Sequence, residues 1–375
     1  MEKHRPEMVD FLAALVLAES PSSEPEAQAG VQTLLREALT RLDYEVTHLP
    51  GQQTGGHLLA RPRQSDPARP QQLLLGHCDT VWPIGTLREM PLKIEENVMH
   101  GPGVYDMKGG LTQMVFALRA LRELGLPTAV TPLCFINSDE EIGSHESTAH
   151  IEALAQQVCR ALILEPALGP TGKLKTARKG VANYQVVVHG RAAHAGLDPE
   201  KGVSAILEMA HIIQQLFALN DPANGVSVNV GIVQGGMRTN VIAPECAAWV
   251  DVRVPRQVDT ERIDTAVSRL TPTLPGASLE ISGGIGRAPL ERTPRNRRLW
   301  AQAQAAGLRM GLELVEGMAG GGSDGNTTSR FTATLDGLGP VGDGAHARHE
   351  FVYLDKLVER ATLLTLLLLA EPQSV

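Results

Sequence analysis

Three short apolar runs constrain this chain more than any other feature: QLLLGH at 72–77, TPLCFINS at 131–138 and ALILEP at 161–166. Each is too short for a core helix and too continuously apolar for a strand with one wet face. Each therefore reads as a strand covered on both sides. Around and between them lie segments with helical spacing of apolar residues, at 6–18, 24–42, 108–124 and 146–157. The second opens on the capping segment SSEPE, and the third runs from KGG to ELGLP. YEVTHL and HLLARP add two strands ahead of the first buried run. Strands alternating with helices predict an α/β fold, a mixed and mostly parallel sheet flanked by helices. Ligands of such sheets gather beyond the carboxyl ends of the strands. The polar residues stand there: Gly76 and His77, then Ser138, Asp139, Glu140 and Glu141, then Glu165.

The texture changes near residue 176. VANYQVVVHG is a strand, 201–219 a helix, GVSVNVGIVQG and CAAWVDVRVP are strands, 258–272 is a helix and ASLEISGGIG a strand. That β-α-β-β-α-β order is ferredoxin-like. The chain thus divides into a main domain, 1–175 and 288–375, and an inserted α+β domain, 176–287. The main domain resumes with a helix at 294–310 and strand-like FTATLDGLGP. It closes on a helix containing ATLLTLLLLA, a tract too short to span a bilayer. The net charge of −8 argues against nucleic acid or an anionic membrane as partner. Cys78, Cys134, Cys159 and Cys246 form no CxxC pair, and the first residues lack the apolar stretch of a secretion signal. A cytoplasmic, reducing location is the expectation.

Acids and histidines recur at strand ends and in glycine-rich turns. GHCDT offers His77 and Asp79, and GPGVYDMKGG offers Asp106. DEEIGS offers Glu140 and Glu141, LEP offers Glu165, and GDGAHARHE offers His346, His349 and Glu350. Singly, each is an ordinary loop or strand-end residue. Together they form a nitrogen and oxygen donor set without thiolate, suited to Zn²⁺, Co²⁺ or Mn²⁺ and unlike a structural zinc site. Two histidines with three carboxylates suffice for two metals that share one bridging carboxylate. In His-x-Asp, the aspartate can fix the tautomer of the imidazole.

The ordered series GHCDTV, GPGVYDMKGG, SDEEIGS, LEP, GRAAHAG, GGSDG and GAHARHE resembles the dinuclear-zinc aminoacylase and carboxypeptidase family over nearly the whole chain. Glutamate carboxypeptidase, acetylornithine deacetylase and succinyl-diaminopimelate desuccinylase belong to it. The resemblance implies two divalent cations, zinc first and cobalt or manganese as alternatives. His77 and Glu165 would hold one, Glu141 and His346 the other, with Asp106 as the bridge and a cis Asp106–Met107 peptide. Asp79 would orient His77. Glu140 would be general base and acid toward a metal-bridging hydroxide. Asp139 has no implied role beyond hydrogen bonding in its turn. Met107 departs from the acidic or asparagine residue of some relatives. His194 would stabilise the oxyanion in the partner subunit's site, which implies a homodimer formed through the inserted domain.

Arg287 in GIGRAPL, Asn240 in GMRTNVIAP and the glycine run with Gly321 and Gly322 are candidates for binding a substrate carboxylate. Lys173, eight residues past Glu165, matches a lysine of the glutamate carboxypeptidase pattern. The expected substrate is an N-acyl amino acid or peptide-like amide, with release of a C-terminal acidic residue. The spacing of His346 and Glu350 keeps an N-acyl amino acid deacylase as the alternative. An inactive binding homologue conflicts with a complete set of ligands and base.

Overall fold

The computed structural model describes residues 1–66 and 68–372. Two compact units emerge. The first comprises Met1–Ala177, Arg292–Ala319 and the chain from Ser323 on. The second comprises Arg178–Glu291 together with Gly320–Gly322.

In the first unit, β1 (Tyr44–Leu49), β2 (His57–Pro62), β3 (Gln71–His77), β4 (Thr131–Asn137) and β5 (Arg160–Ile163) join Ala333–Leu335 in one sheet. Its order is β1, β2, β4, β3, β5, then Ala333–Leu335. The last four strands are mutually parallel, while β2 runs antiparallel to both β1 and β4. The sheet is mixed and mostly parallel, as the apolar runs predict. Alternation along the central strands supplies both faces. Leu74, Cys134, Ile136 and Leu162 enter one core with Leu12, Leu35, Met114 and Leu363. Leu73, Leu75, Leu133, Phe135 and Ile163 enter the other with Ile151 and Leu154. Helices α1 (Arg5–Leu17), α2 (Gln28–Arg41), α3 (Gly109–Glu123) and α4 (Thr148–Ala155) contribute to these cores, as do Pro294–Arg309 and Leu354–Leu368. Among the described residues no helix is long and apolar enough to cross a membrane.

A second, small sheet escaped the sequence reading. Its strands are Gly342–Asp343, Phe351–Tyr353, Val98–His100 and Lys93–Glu95, in that order. Strands of two or three residues carry no readable alternation. Their pairing is nevertheless decisive, because Phe351 lies antiparallel to His100. The loop after His100 is thereby laid beside the loop before Phe351.

In the second unit, β6 (Gly180–His189), α5 (Ala205–Phe217), β7 (Ser227–Gly235), β8 (Glu245–Val254), α6 (Gln257–Ser268) and β9 (Ser278–Arg287) follow one another. The sheet order is β7, β8, β6, β9, antiparallel throughout, which is the ferredoxin-like arrangement. Every second residue of β6 and β8 points inward: Ala182, Tyr184, Val186 and Val188, and Cys246, Ala248, Val250 and Val252. They pack against Met209, Ile212 and Leu216 of α5 and Ile263 and Val267 of α6.

Candidate metal centre

All the acids and histidines proposed as ligands meet in the first unit, at the carboxyl ends of its parallel strands. His77 is the last residue of β3, and Glu165 lies two residues beyond the end of β5. Glu140 and Glu141 form a short turn just past β4. Asp106 comes from the irregular segment before α3, where the Asp106–Met107 peptide is cis. His346 comes from the loop that the small sheet lays alongside. It holds φ of 59°, a left-handed conformation that costs a non-glycine residue of order 1 kcal/mol.

The Asp106 carboxylate lies between two imidazoles. Its Oδ1 is 3.2 Å from His77 Nε2 and its Oδ2 is 3.6 Å from His346 Nε2. Glu165 Oε1 is 3.5 Å from His77 Nε2, and Glu141 Oε2 is 3.0 Å from His346 Nε2. Ligand atoms of His77, Asp106 and Glu141 fall within 4.8 Å of one another, as do those of His77, Glu140 and Glu165. Glu141 Oε1 is buried and has no hydrogen-bond partner.

The charge balance of these side chains calls for cations. Burial resists protonation of His77, but Asp106, Asp79 and Glu165 outweigh it and hold the imidazole well above its usual range. Glu141 pulls His346 up to about 9. Burial, helped by the Asp106 charge, pushes the Glu141 carboxyl upward against the pull of His346. Imidazolium is the only form in which these histidines neutralise the acids, and it occupies the nitrogens that would ligate a metal. Two histidines around a shared carboxylate, no thiolate and an orphaned buried carboxylate oxygen fit a pair of divalent cations. One would be held by His77, Glu165 and Asp106, and the other by His346, Glu141 and Asp106.

Asp79 has a double task. The Nδ1 of His77 faces the Asp79 backbone carbonyl at 3.0 Å and its carboxylate Oδ1 at 3.4 Å. Both are acceptors, so Nδ1 carries a proton in either charge state, and Nε2 is the nitrogen that a metal would take in place of its own proton. The backbone carbonyl, rather than the carboxylate, is the nearer partner. The carboxylate also accepts from the backbone N–H of Glu140 and Glu141 at 3.3 and 3.2 Å and from Ser22 Oγ at 2.6 Å. It fixes the turn that presents the two glutamates. Asp139 points away from the metal ligands. Its Oδ2 accepts from the backbone N–H of Glu146 and Ser147 at the entry to α4.

Three contributors had only faint sequence signals. Glu350 is fully buried and accepts from Trp82 Nε1 and from the backbone N–H of Gly103, Tyr105 and Asp106. Burial pushes its carboxyl up to about 7 against the pull of these donors. Asp324, in GGSDG, accepts from Ser144 Oγ and Asn137 Nδ2, tying the glycine-rich segment to the end of β4. Lys175 Nζ stands 3.9 Å from Glu165 Oε2. Lys173, the lysine singled out from the sequence, is exposed.

The remaining candidates belong to the second unit. Arg287 ends β9, opposite Val181 at the start of β6. Nearby, the Arg178 guanidinium donates to the carbonyls of Gly321 and Gly322 at 3.1 and 3.0 Å. His194 and Asn240 lie past the opposite end of β6, on two loops joined by Ala195 N–H donating to Asn240 O. His194 Nδ1 accepts from the backbone N–H of Gly196 and Leu197, each at 3.1 Å. The His194 proton therefore sits on Nε2, which is left as a hydrogen-bond donor.

Comparison with known proteins identifies the family. The family model described as "Peptidase family M20/M25/M40" matches residues 73–370. Carboxypeptidase G2 of Pseudomonas sp. (strain RS-16) is 28% identical over 366 residues, covering 95% of this chain and 87% of the relative. The aminopeptidase PepT from Bacillus cereus ATCC 10987 has the same fold, with a TM-score of 0.76 at 21% identity, over 97% of this chain and 98% of that one. The Bacillus subtilis YXEP protein, described as a dinuclear metal-binding peptidase of the M20 family, superposes with a TM-score of 0.72 at 14% identity, over 98% of both chains. A match that takes in every metal-ligand position named above makes this chain a member of peptidase family M20/M25/M40, a metal-dependent peptidase or amidohydrolase.

Proposed function

We propose that the chain is a dinuclear zinc carboxypeptidase that cleaves the amide bond of an N-acyl amino acid or peptide-like substrate and releases a C-terminal acidic residue. The observation that carries the hydrolytic reading is the Asp106 carboxylate between His77 and His346. Bound metals would supply Lewis acidity, activating water and polarising the scissile carbonyl. Each metal has three protein ligands in the assignment above, which leaves a position open for catalysis. Glu140 is then in excess of the ligand count. It stands beside His77 and Glu165, held by Asp79 through its backbone N–H, and is the residue to take a proton from water and return it to the leaving amine.

His194 presents Nε2–H to the tetrahedral oxyanion. The ten residues of β6 separate it from Arg287 by roughly 30 Å. One site cannot draw on both ends of this strand from one copy. This supports a homodimer in which the two ends of β6 serve different sites. Exposed Ile206, Leu207, Ile232, Val233 and Met237 on the second unit supply apolar surface for such an interface. Arg287 at a strand end suits a carboxylate, and the resemblance to glutamate carboxypeptidase favours an acidic C-terminal residue. Lys173 is kept only as a residue that an acidic side chain could meet at the surface.

A panel of N-acyl amino acids, assayed with zinc, cobalt and manganese in parallel, tests the substrate. Release of glutamate or aspartate from N-acyl-Glu or N-acyl-Asp, in preference to neutral and basic analogues, is the expected result. Preferential release of acetate or succinate from a basic or amino-dicarboxylic core would favour the deacylase reading.

A further inference from the structure

Glu350 is a charged group that the hydrolytic mechanism leaves without a task. Its side chain is fully buried, and the hydrogen bonds it accepts come from backbone N–H groups and an indole rather than from Lys, Arg or His. Four N–H groups converge on it instead. Oε1 accepts from Tyr105 N–H at 2.9 Å and from Asp106 N–H at 3.0 Å. Oε2 accepts from Gly103 N–H at 2.8 Å and from Trp82 Nε1 at 2.9 Å. Each oxygen thus receives two donors, and no acceptor stands there for a carboxyl proton.

Three of the donors come from a segment that cannot satisfy itself. Residues 103–106 precede α3, and Asp106 holds φ −114° and ψ 98°, outside helical space. Their buried N–H groups need an acceptor from elsewhere in the chain. Glu350 is that acceptor, and it lies four residues past His346. It is joined to the same loop by its own N–H, which donates to Ala347 O, while Ala347 N–H donates to Gly344 O. One side chain therefore fastens the loop of Asp106 to the loop of His346. Those two residues are ligands of the same metal in the assignment above. Neither β3 nor β5, which carry the first metal's other ligands, contacts the Glu350 carboxylate through any of its four bonds.

We propose that Glu350 is a positioning residue for the second metal site, setting the approach of Asp106 to His346 without touching the metal. The inference rests on the dinuclear reading. A glutamine in its place would turn an NH₂ group toward two N–H donors, and the Asp106 loop would lose its fixed distance from His346. Residues that orient metal ligands typically change affinity by about ten- to a hundred-fold when replaced.

The test is a metal titration of chelated, refilled protein, with zinc followed by competition and cobalt by its visible spectrum. Wild-type protein taking up two equivalents supports the dinuclear reading; fewer than two overturns that reading independently of Glu350. E350Q is expected to weaken the second equivalent about ten- to a hundred-fold and the first, which shares only Asp106 with it, by less, with kcat falling more than KM changes. E350D keeps the charge but withdraws it by one methylene, and is read by the same criterion should E350Q fail to fold. A purely structural role would lower the melting temperature and leave the second dissociation constant alone. Two equivalents bound at wild-type affinity in a folded variant would overturn the proposal.

Discussion

Glu140 and Glu141 are adjacent in the chain and held by one carboxylate, that of Asp79, yet the assignment gives them different chemistry. Glu141 has His346 at 3.0 Å, whereas Glu140 lies on the side of His77 and Glu165. Substitution separates base from ligand. E140Q is expected to lower kcat by about 10²- to 10⁴-fold, the usual contribution of a positioned acid-base group, while metal content stays at two per chain. Loss of a metal equivalent in elemental analysis would make Glu140 a ligand instead. E141Q is expected to lose metal first and activity with it.

At the scale of elements, the site depends on how closely α3 approaches the sheet. Gly110, in the first turn of α3, has no room for a Cβ because the carbonyl oxygen of Leu164 occupies that space. Leu164 is the residue before Glu165, so the helix start and a metal ligand share one contact. G110A is expected to cost about 1–3 kcal/mol, typical of overpacking, and to loosen the first metal as Glu165 shifts. Urea denaturation with and without added metal measures both effects. Unchanged stability and metal affinity would show that the helix can retreat without disturbing Glu165. The Gly76 position is similarly tight, since a Cβ there would meet the end of Met107 at 2.7 Å, although a flexible methionine tip yields more readily than a carbonyl.

For the molecule as a whole, bound metals would supply the counter-charge of the acid cluster. Chelation is expected to abolish activity and to reduce folding stability by about 4 kcal/mol for each metal that stands at a thousand times its Kd. Denaturation midpoints with and without chelator provide the check, and coincident curves would contradict a metal-stabilised site. The proposed homodimer makes a sharper prediction. H194A and E140A should each be inactive alone. After subunit exchange, half the molecules are mixed dimers, and each restores one site that combines an intact Glu140 with the partner copy's His194. About a quarter of wild-type activity should return, given random pairing of two-fold symmetric subunits. No recovery in demonstrably exchanged dimers would place His194 in the site of its own chain.

The sequence alone determined the sheet and its chemistry. Apolar runs at 72–77, 131–138 and 161–166 can be buried only as two-sided strands, and their polar ends then have to lie along one edge. The βαββαβ order of the second unit was legible for a similar reason, since β6 and β8 alternate over ten residues each. Several features became visible only in three dimensions. The strands that bring the His346 loop to the Asp106 loop are two or three residues long, below the length at which a period can be read. The role of Glu350 depends on four N–H groups from distant positions, and Lys175, buried within the strand Leu174–Arg178, approaches Glu165, whereas Lys173 precedes that strand and is exposed. Local sequence determined which groups the chain could offer to a metal, because strand ends and glycine turns are local properties. Only the tertiary structure decided which two histidines face one aspartate, because that distance is set by packing between segments some 240 residues apart.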